Sequence, residues 1–224
     1  MYLEKTTINS FLKALSGSGK SDLAANVSPD LLEELSKYLG FLHRWNKKMN
    51  LTRIFSSPEF LRDEFLTSPA FYSSAISSPN VKRVLDIGSG NGIPAIFCAL
   101  MYSEKNFTLC EIDYKKTVFL QELKRFLGIS NITVINNDYK NAQTADGMGY
   151  DVIMFKNVSK QSHFLESAGR LLTSDGRIVF QTSMKEVDSL DNKNASFDVV
   201  RTYNIPVEKP TCLVELSIVP RETI

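Results

Sequence analysis

The chain is poor in the residues on which most catalytic chemistries depend. It carries 3 cysteines, 2 histidines and 1 tryptophan in 224 residues, and 26 basic side chains are balanced by 25 acidic ones. Such a balance supplies no global field to draw in a polyanion, so any contact with nucleic acid must come from a local patch. Cys98, Cys110 and Cys212 sit in apolar segments without CxxC spacing. That is the pattern of reduced packing thiols, and it argues against a structural disulfide, a zinc site or a nucleophilic cysteine. No aspartate-rich or His/Cys cluster marks a metal site, and His43 and His163 fall in helix-like segments as surface or helix-end residues. No apolar run approaches the length needed to cross a bilayer, and the opening MYLEKTTINS lacks the apolar centre of a secretory leader. A soluble, cytoplasmic protein without metal or membrane partner is expected.

What is present is a strong rhythm. With 43% hydrophobic residues, the chain can bury a substantial core, and it reads as an N-terminal helical extension (1–75) followed by one compact α/β unit (76–224). Ser28 is a good helix cap with Pro29 behind it, and Leu31, Leu32, Leu35, Leu39 and Leu42 recur at helical spacing toward Trp45. Ser57, Pro58 and Glu59 repeat that start signal, predicting a second helix through about Phe71. From Val81 onward, strands at 81–87, 107–112, 132–135, 151–155 and 177–181 alternate with helices near 93–101, 115–127 and 161–172, which predicts a parallel sheet covered on both faces. Two further β-like segments, 197–205 and 212–219, complete a mixed seven-stranded sheet as an edge hairpin. Ligands in such folds sit at the carboxyl ends of the strands, where Asp86, Gly88, Glu111, Asp138 and Lys156 all fall.

The most informative stretch is VLDIGSGNG, from Val84 to Gly92. Apolar β-formers lead to Asp86 and then to glycines at 88, 90 and 92, as a strand, a tight turn and a helix start require. A Cβ at such a turn blocks both a left-handed backbone and close approach of a ligand to the main chain. A dinucleotide fingerprint would place its third glycine one residue later, so this loop suits a ligand without a pyrophosphate. The next strand ends in Glu111, about where α/β nucleotide folds hold a ribose with a carboxylate. Loop and carboxylate together describe a site for an adenosine-bearing ligand, S-adenosylmethionine rather than NAD.

Four segments carry a resemblance: FLHRWNKKMNLTRI (41–54), VLDIGSGNGIP (84–94), TLCEIDYKKTVFL (108–120) and YDVIMFKN (150–157). They resemble the RsmG/GidB family, S-adenosylmethionine-dependent methyltransferases that modify N7 of a guanine in small-subunit ribosomal RNA. The resemblance spans roughly Leu39 to Val219. Its specific parts are Trp45, Asn46, Asn50, Leu51 and Thr52, together with the KKxxFL run. It implies a Rossmann-like class I methyltransferase fold, acting as a monomer on 16S ribosomal RNA or the small ribosomal subunit. It further implies that Gly88 and Ile93 line the cofactor with Gly90 and Gly92 shaping the turn, that Glu111 takes the ribose, that Tyr139 and Lys140 lie beside the adenine, and that Asp138 accepts from the adenine amino group; Asp86 is expected in the cofactor site with them. Lys156 stands where the family carries an active-site arginine, making it a candidate for both cofactor contact and catalysis.

Departures from the family pattern are equally specific. Its histidine and DSL segment is replaced by DEFLTS (63–68), an expected arginine and glutamate by Asp138 and Lys140, and a lysine-glycine pair by Thr182 and Ser183. RNA contact then falls to Arg44, Lys47, Lys48 and Arg53 around Trp45, with Lys115, Lys116, Lys124 and Arg125 beyond. Basic side chains hold phosphates without reading sequence. Two other readings stand beside the first: a methyltransferase of another RNA or a small molecule, and a cofactor-binding, ribosome-associated protein without turnover. The scarcity of histidine excludes neither methylation reading, because guanine N7 presents a free lone pair with no proton to remove. Positioning alone can supply much of that catalysis. An adenine amino methylase is disfavoured by FKNVSK (155–160), where an NPPY-like turn would be expected.

Overall fold

The computed structural model describes residues 27–52, 60–144, 146–156, 161–183, 197–205 and 211–218. Helix α1 (Pro29–Met49) begins where the sequence places it: the Ser28 side chain accepts from the Leu31 N–H, and Pro29 occupies a position whose amide would have no helical partner. It stops at Asn50, which adopts the left-handed conformation. Asn46 then clasps the chain beyond, its amide donating to the Thr52 carbonyl at 3.0 Å and its Oδ1 accepting from the Thr52 N–H at 2.8 Å. Part of the motif read from the sequence as a family signature is thus a structural lock on the helix end.

After α1 the expected regular helix differs. Residues Phe60–Thr67 form a wider π-helical stretch that continues as α2 (Ser68–Ala75), while the start signal at Ser57 lies outside the described residues. The remaining elements follow the alternating rhythm: β1 (Arg83–Ile87), α3 (Ala95–Met101), β2 (Asn106–Glu111), α4 (Tyr114–Leu127), β3 (Ile132–Asn136), a 3-10 turn (Tyr139–Asn141), β4 (Tyr150–Lys156), α5 (Gln161–Gly169), β5 (Leu172–Ser183), β6 (Phe197–Ile205) and β7 (Thr211–Ile218). The fifth strand is longer than its apolar run, because hydrogen bonding to β4 carries the extended conformation back to Leu172. Helix α3 starts two residues later than expected, since Ile93 and Pro94 belong to the turn.

The seven strands run in the order β3-β2-β1-β4-β5-β7-β6. The first five are parallel, and the edge hairpin β6–β7 is antiparallel. This is the predicted Rossmann-like methyltransferase architecture. The chain moves outward from β1 to β3 and then crosses back to β4, so the order reverses between β1 and β4, the place where open α/β sheets leave a crevice. Side chains alternate across the sheet. Val84, Val152, Met154 and Val179 join one core cluster with α1, α2, α3 and α4, whereas Leu85, Ile153, Phe155 and Phe180 join a second with Phe164, Leu165 and Ala168 of α5. The helices before the sheet therefore share a continuous core with it. Lys105, almost fully buried, ties the approach to β1 by donating to the carbonyls of Ser78 and Val81 at 2.9 and 3.0 Å.

Candidate functional site

The glycine loop leaves β1 and is pinned to the end of β2. The N–H groups of Gly88 and Ser89 donate to the Cys110 carbonyl at 2.8 and 3.2 Å, and the Gly92 N–H closes the turn on the Ser89 carbonyl at 2.7 Å. Gly88, Gly90 and Gly92 have φ of 70°, 57° and 89°, a backbone that L side chains rarely adopt. Gly92 is also hemmed in: a Cβ there would lie 2.7 Å from Ile96 Cγ1, 3.0 Å from the Tyr38 hydroxyl and 3.2 Å from Leu120 Cδ2. From α1, the Tyr38 hydroxyl donates to the Asn91 carbonyl at 2.5 Å. The loop is held from both sides.

Glu111 connects loop and strand. Its Oε2 accepts the Gly90 N–H at 2.8 Å and its Oε1 the Asp113 N–H at 2.9 Å. Each oxygen keeps a second lone pair for a further donor. Asp113 in turn caps α4 by accepting from the Lys115 and Lys116 N–H groups.

Asp86, one residue before the end of β1, points into the face occupied by Tyr38 and Tyr72. Burial pushes its carboxyl up to about 7, and Glu111 adds to the rise while Ser89 and Lys156 pull it down. Its Oδ2 has no hydrogen-bond partner. A buried, unsatisfied carboxylate oxygen carries a free-energy cost unless a donor or cation meets it.

Across the switch point, the register that sets Ile87 against Phe155 brings Lys156 level with Gly88. Lys156 is nearly buried, and its Nζ is ion-paired and hydrogen-bonded to Glu64 of the π-helical stretch. The continuation of that stretch, α2, is laced to the sheet twice: the Ser68 hydroxyl donates to Gln181 Oε1, and the Tyr72 hydroxyl to the Phe155 carbonyl, both at 2.6 Å.

The structure thus assembles Asp86, Gly88, Gly90, Gly92, Ile93, Glu111 and Lys156 around one rim. Asp138 caps the turn after β3, accepting from the Lys140 N–H at 3.0 Å, and its carboxylate keeps lone pairs for the adenine amino group expected there. The Tyr139 ring packs 4.9 Å from that of Phe164, and Lys140 is exposed. Of the basic set, Lys115 and Lys116 stand at the first turn of α4 beside Asp113, Lys47 and Lys48 are exposed near the end of α1, and the Arg44 guanidinium lies 5.5 Å from the ring centroids of both Phe41 and Phe126. Arg53 is outside the described residues. Trp45 packs against the core, its ring 5.7 Å from that of Phe119. All three cysteines are buried, and burial pushes the Cys110 thiol up to about 12. Among the described residues no cluster could hold a metal, and no helix is long and apolar enough to cross a membrane.

Sequence reasoning missed Tyr38, Tyr72, Glu64, Ser68 and Gln181. Only Tyr38 left a signal, since it continues the apolar stripe of α1; the others meet the site through contacts 83 to 113 residues apart in the chain.

Comparison with known proteins points one way. The family described as rRNA small subunit methyltransferase G matches residues 31–212. A Marinomonas protein named ribosomal RNA small subunit methyltransferase G is 38% identical over 118 residues, 53% of this chain and 55% of the relative, so the matched part spans about half of that protein. A protein of the same name from Coxiella burnetii is 28% identical over 190 residues, 84% of this chain and 89% of the relative. Among solved structures, ribosomal protein L11 methylase from Lactobacillus delbrueckii subsp. bulgaricus superposes with a TM-score of 0.55 at 17% identity, covering 68% of this chain and 77% of its own. MtNAS in complex with MTA and tNA reaches 0.58 at 16% identity, covering 94% and 82%. At such identities the structural likeness shows the fold alone.

Proposed function

The chain belongs to the rRNA small subunit methyltransferase G family, and we propose that it transfers a methyl group from S-adenosylmethionine to N7 of a guanine in 16S ribosomal RNA. The observation that supports this most strongly is the rim at the β1/β4 switch point, where a loop of left-handed glycines, Glu111 and an unsatisfied buried oxygen of Asp86 converge. These residues fit the cofactor. Glu111 has lone pairs left for ribose hydroxyls, the side-chain-free loop admits a ligand against the backbone, and Asp86 offers negative charge to a cationic methionine portion.

When bound, the cofactor supplies an electrophilic methyl group on a sulfonium. A guanine N7 lone pair, which carries no proton, would accept that methyl group while the electron pair of the broken C–S bond stayed on sulfur, so the site would need no general base. The protein is therefore required to position rather than to deprotonate, a demand that needs no histidine. Lys47, Lys48 and Arg44 serve as phosphate contacts that set the register of the RNA.

Incubation with radiolabelled cofactor and small ribosomal subunits lacking the modification should place label in 16S RNA at a site cleaved by N7-methylguanine chemistry. Label in another RNA or a small molecule would replace the substrate, and cofactor binding without label in any acceptor would replace the activity.

A pH dependence follows from Asp86. Its folded-state carboxyl, near 7, lies above the unfolded value, so between about pH 4 and pH 7 the folded protein binds the extra proton. This group therefore makes the unliganded protein lose stability as pH rises through that window, and its contribution is level above it. A cationic ligand beside Asp86 favours the carboxylate, so binding releases a proton. Calorimetry should show S-adenosylmethionine affinity rising by about tenfold from pH 6 to pH 8, with a buffer-dependent heat. The Asp86→Asn variant should lose that pH dependence.

A further inference from the structure

The family resemblance assigns an arginine to the position of Lys156 and a histidine to the segment now reading DEFLTS, but nothing in it assigns a role to Glu64. Lys156 closes β4 level with Gly88, and its ammonium is nearly buried in contact with Glu64. Glu64 comes from a π-helical stretch, an uncommon geometry that is frequent at functional sites. Its neighbours are already committed: Arg62 binds both oxygens of the buried Asp63 at 2.6 and 3.0 Å, and Ser68 and Tyr72 fasten the following helix α2 to β5 and β4. The attachment to the sheet of α2, which follows the stretch directly, therefore does not depend on Glu64. What Glu64 does is neutralise an ammonium beside the rim.

That neutralisation matters because of where charge travels. Positive charge enters on the sulfonium and leaves on the N7-methylated purine, so an uncompensated ammonium at the end of β4 would repel the cofactor and oppose the product. Resting on the reading above, we propose that Glu64 is the positioning residue of the transfer site. It holds the Lys156 ammonium as a hydrogen-bond donor without net charge, so that Lys156 donates to the guanine O6 and leaves N7 to the methyl group. A lysine is a flexible point charge, unlike an arginine fork, and needs such a partner to be aimed. O6 and N7 are the two acceptors on that guanine edge, and lysine is among the side chains that recognise it.

The test compares ligands that differ in sulfonium charge. In calorimetric titrations, Glu64→Gln should weaken S-adenosylmethionine by about fivefold or more while S-adenosylhomocysteine changes by less than about twofold. Adding Lys156→Gln to Glu64→Gln should restore S-adenosylmethionine affinity to near wild type, because the stranded charge is gone, yet leave methyl transfer to ribosomal subunits at least about tenfold down in kcat. Glu64→Asp should retain most of both properties, and all variants should unfold within a few degrees of wild type without ligand. Equal weakening of both ligands, no change in either, or a double variant worse than Glu64→Gln would overturn the proposal alone. A wild-type protein that binds neither ligand would overturn the functional reading and this proposal with it.

Discussion

Glu111→Ala should abolish the rise in melting temperature that S-adenosylmethionine confers, with affinity lowered by about 100-fold or more. The variant removes the acceptor of both the Gly90 and the Asp113 N–H groups, and hydrogen bonds to a charged group are worth roughly 1.5–3 kcal/mol each. One of the freed amides belongs to the glycine loop and the other to the cap of α4, so the loop keeps only its backbone bonds to the Cys110 carbonyl at the moment the ribose loses its acceptor. Stability without ligand should fall by about 3 kcal/mol, readable as a lower urea midpoint with an unchanged slope. Glu111→Gln separates the two contributions: it keeps one carbonyl acceptor and should fold better than alanine while binding the cofactor almost as poorly. Wild-type affinity in Glu111→Ala would sink the assignment of the rim as the adenosine site.

Gly92→Ala should produce the largest loss of stability of any single methyl addition to this loop. The left-handed backbone costs a non-glycine residue about 1–2 kcal/mol. The new methyl would also sit 2.7 Å from Ile96 Cγ1 and 3.2 Å from Leu120 Cδ2, and overpacking of that kind costs typically 1–3 kcal/mol more. The sum, about 2–5 kcal/mol, corresponds to a drop in melting temperature of roughly 5–15 °C for a domain of this size. The Tyr38 hydroxyl, which would be 3.0 Å from the added carbon, must also shift from its bond to Asn91, so cofactor affinity should fall with stability. Gly90→Ala gives a control. Its added carbon would meet nothing closer than 3.7 Å, leaving only the backbone penalty, and a scanning calorimeter should show the smaller of the two shifts.

Sequence and structure agree where the signal is local. Ser28 and Pro29 start α1 because a hydroxyl and a missing amide satisfy the same helix end, and the apolar runs of β1, β2, β4 and β5 become parallel strands because both faces of each are covered. The glycine spacing and Glu111 are readable for the same reason: a left-handed turn admits few residues, and a strand end in this fold has one place to project an acid. Other residues leave no such mark. The π-helical stretch looks like an ordinary helix by composition, since its departure arises from what it docks against. The Asx clasp of Asn46 on Thr52 was visible as letters but not as a lock.

What the sequence determined by itself is the periodic part of this protein: which segments are strands, where the chain turns on glycine, and which family supplies its fold and chemistry. The tertiary structure decided the electrostatics of the rim. Asp86 became a buried acid with an unmet oxygen, and Lys156 found Glu64 across 92 positions of chain. Backbone geometry and apolar periodicity are properties of neighbours along the chain, so they can be read in order. The charge state of a buried group depends on solvent exclusion and on partners brought in from elsewhere, and these exist only once the sheet and its covering helices have closed.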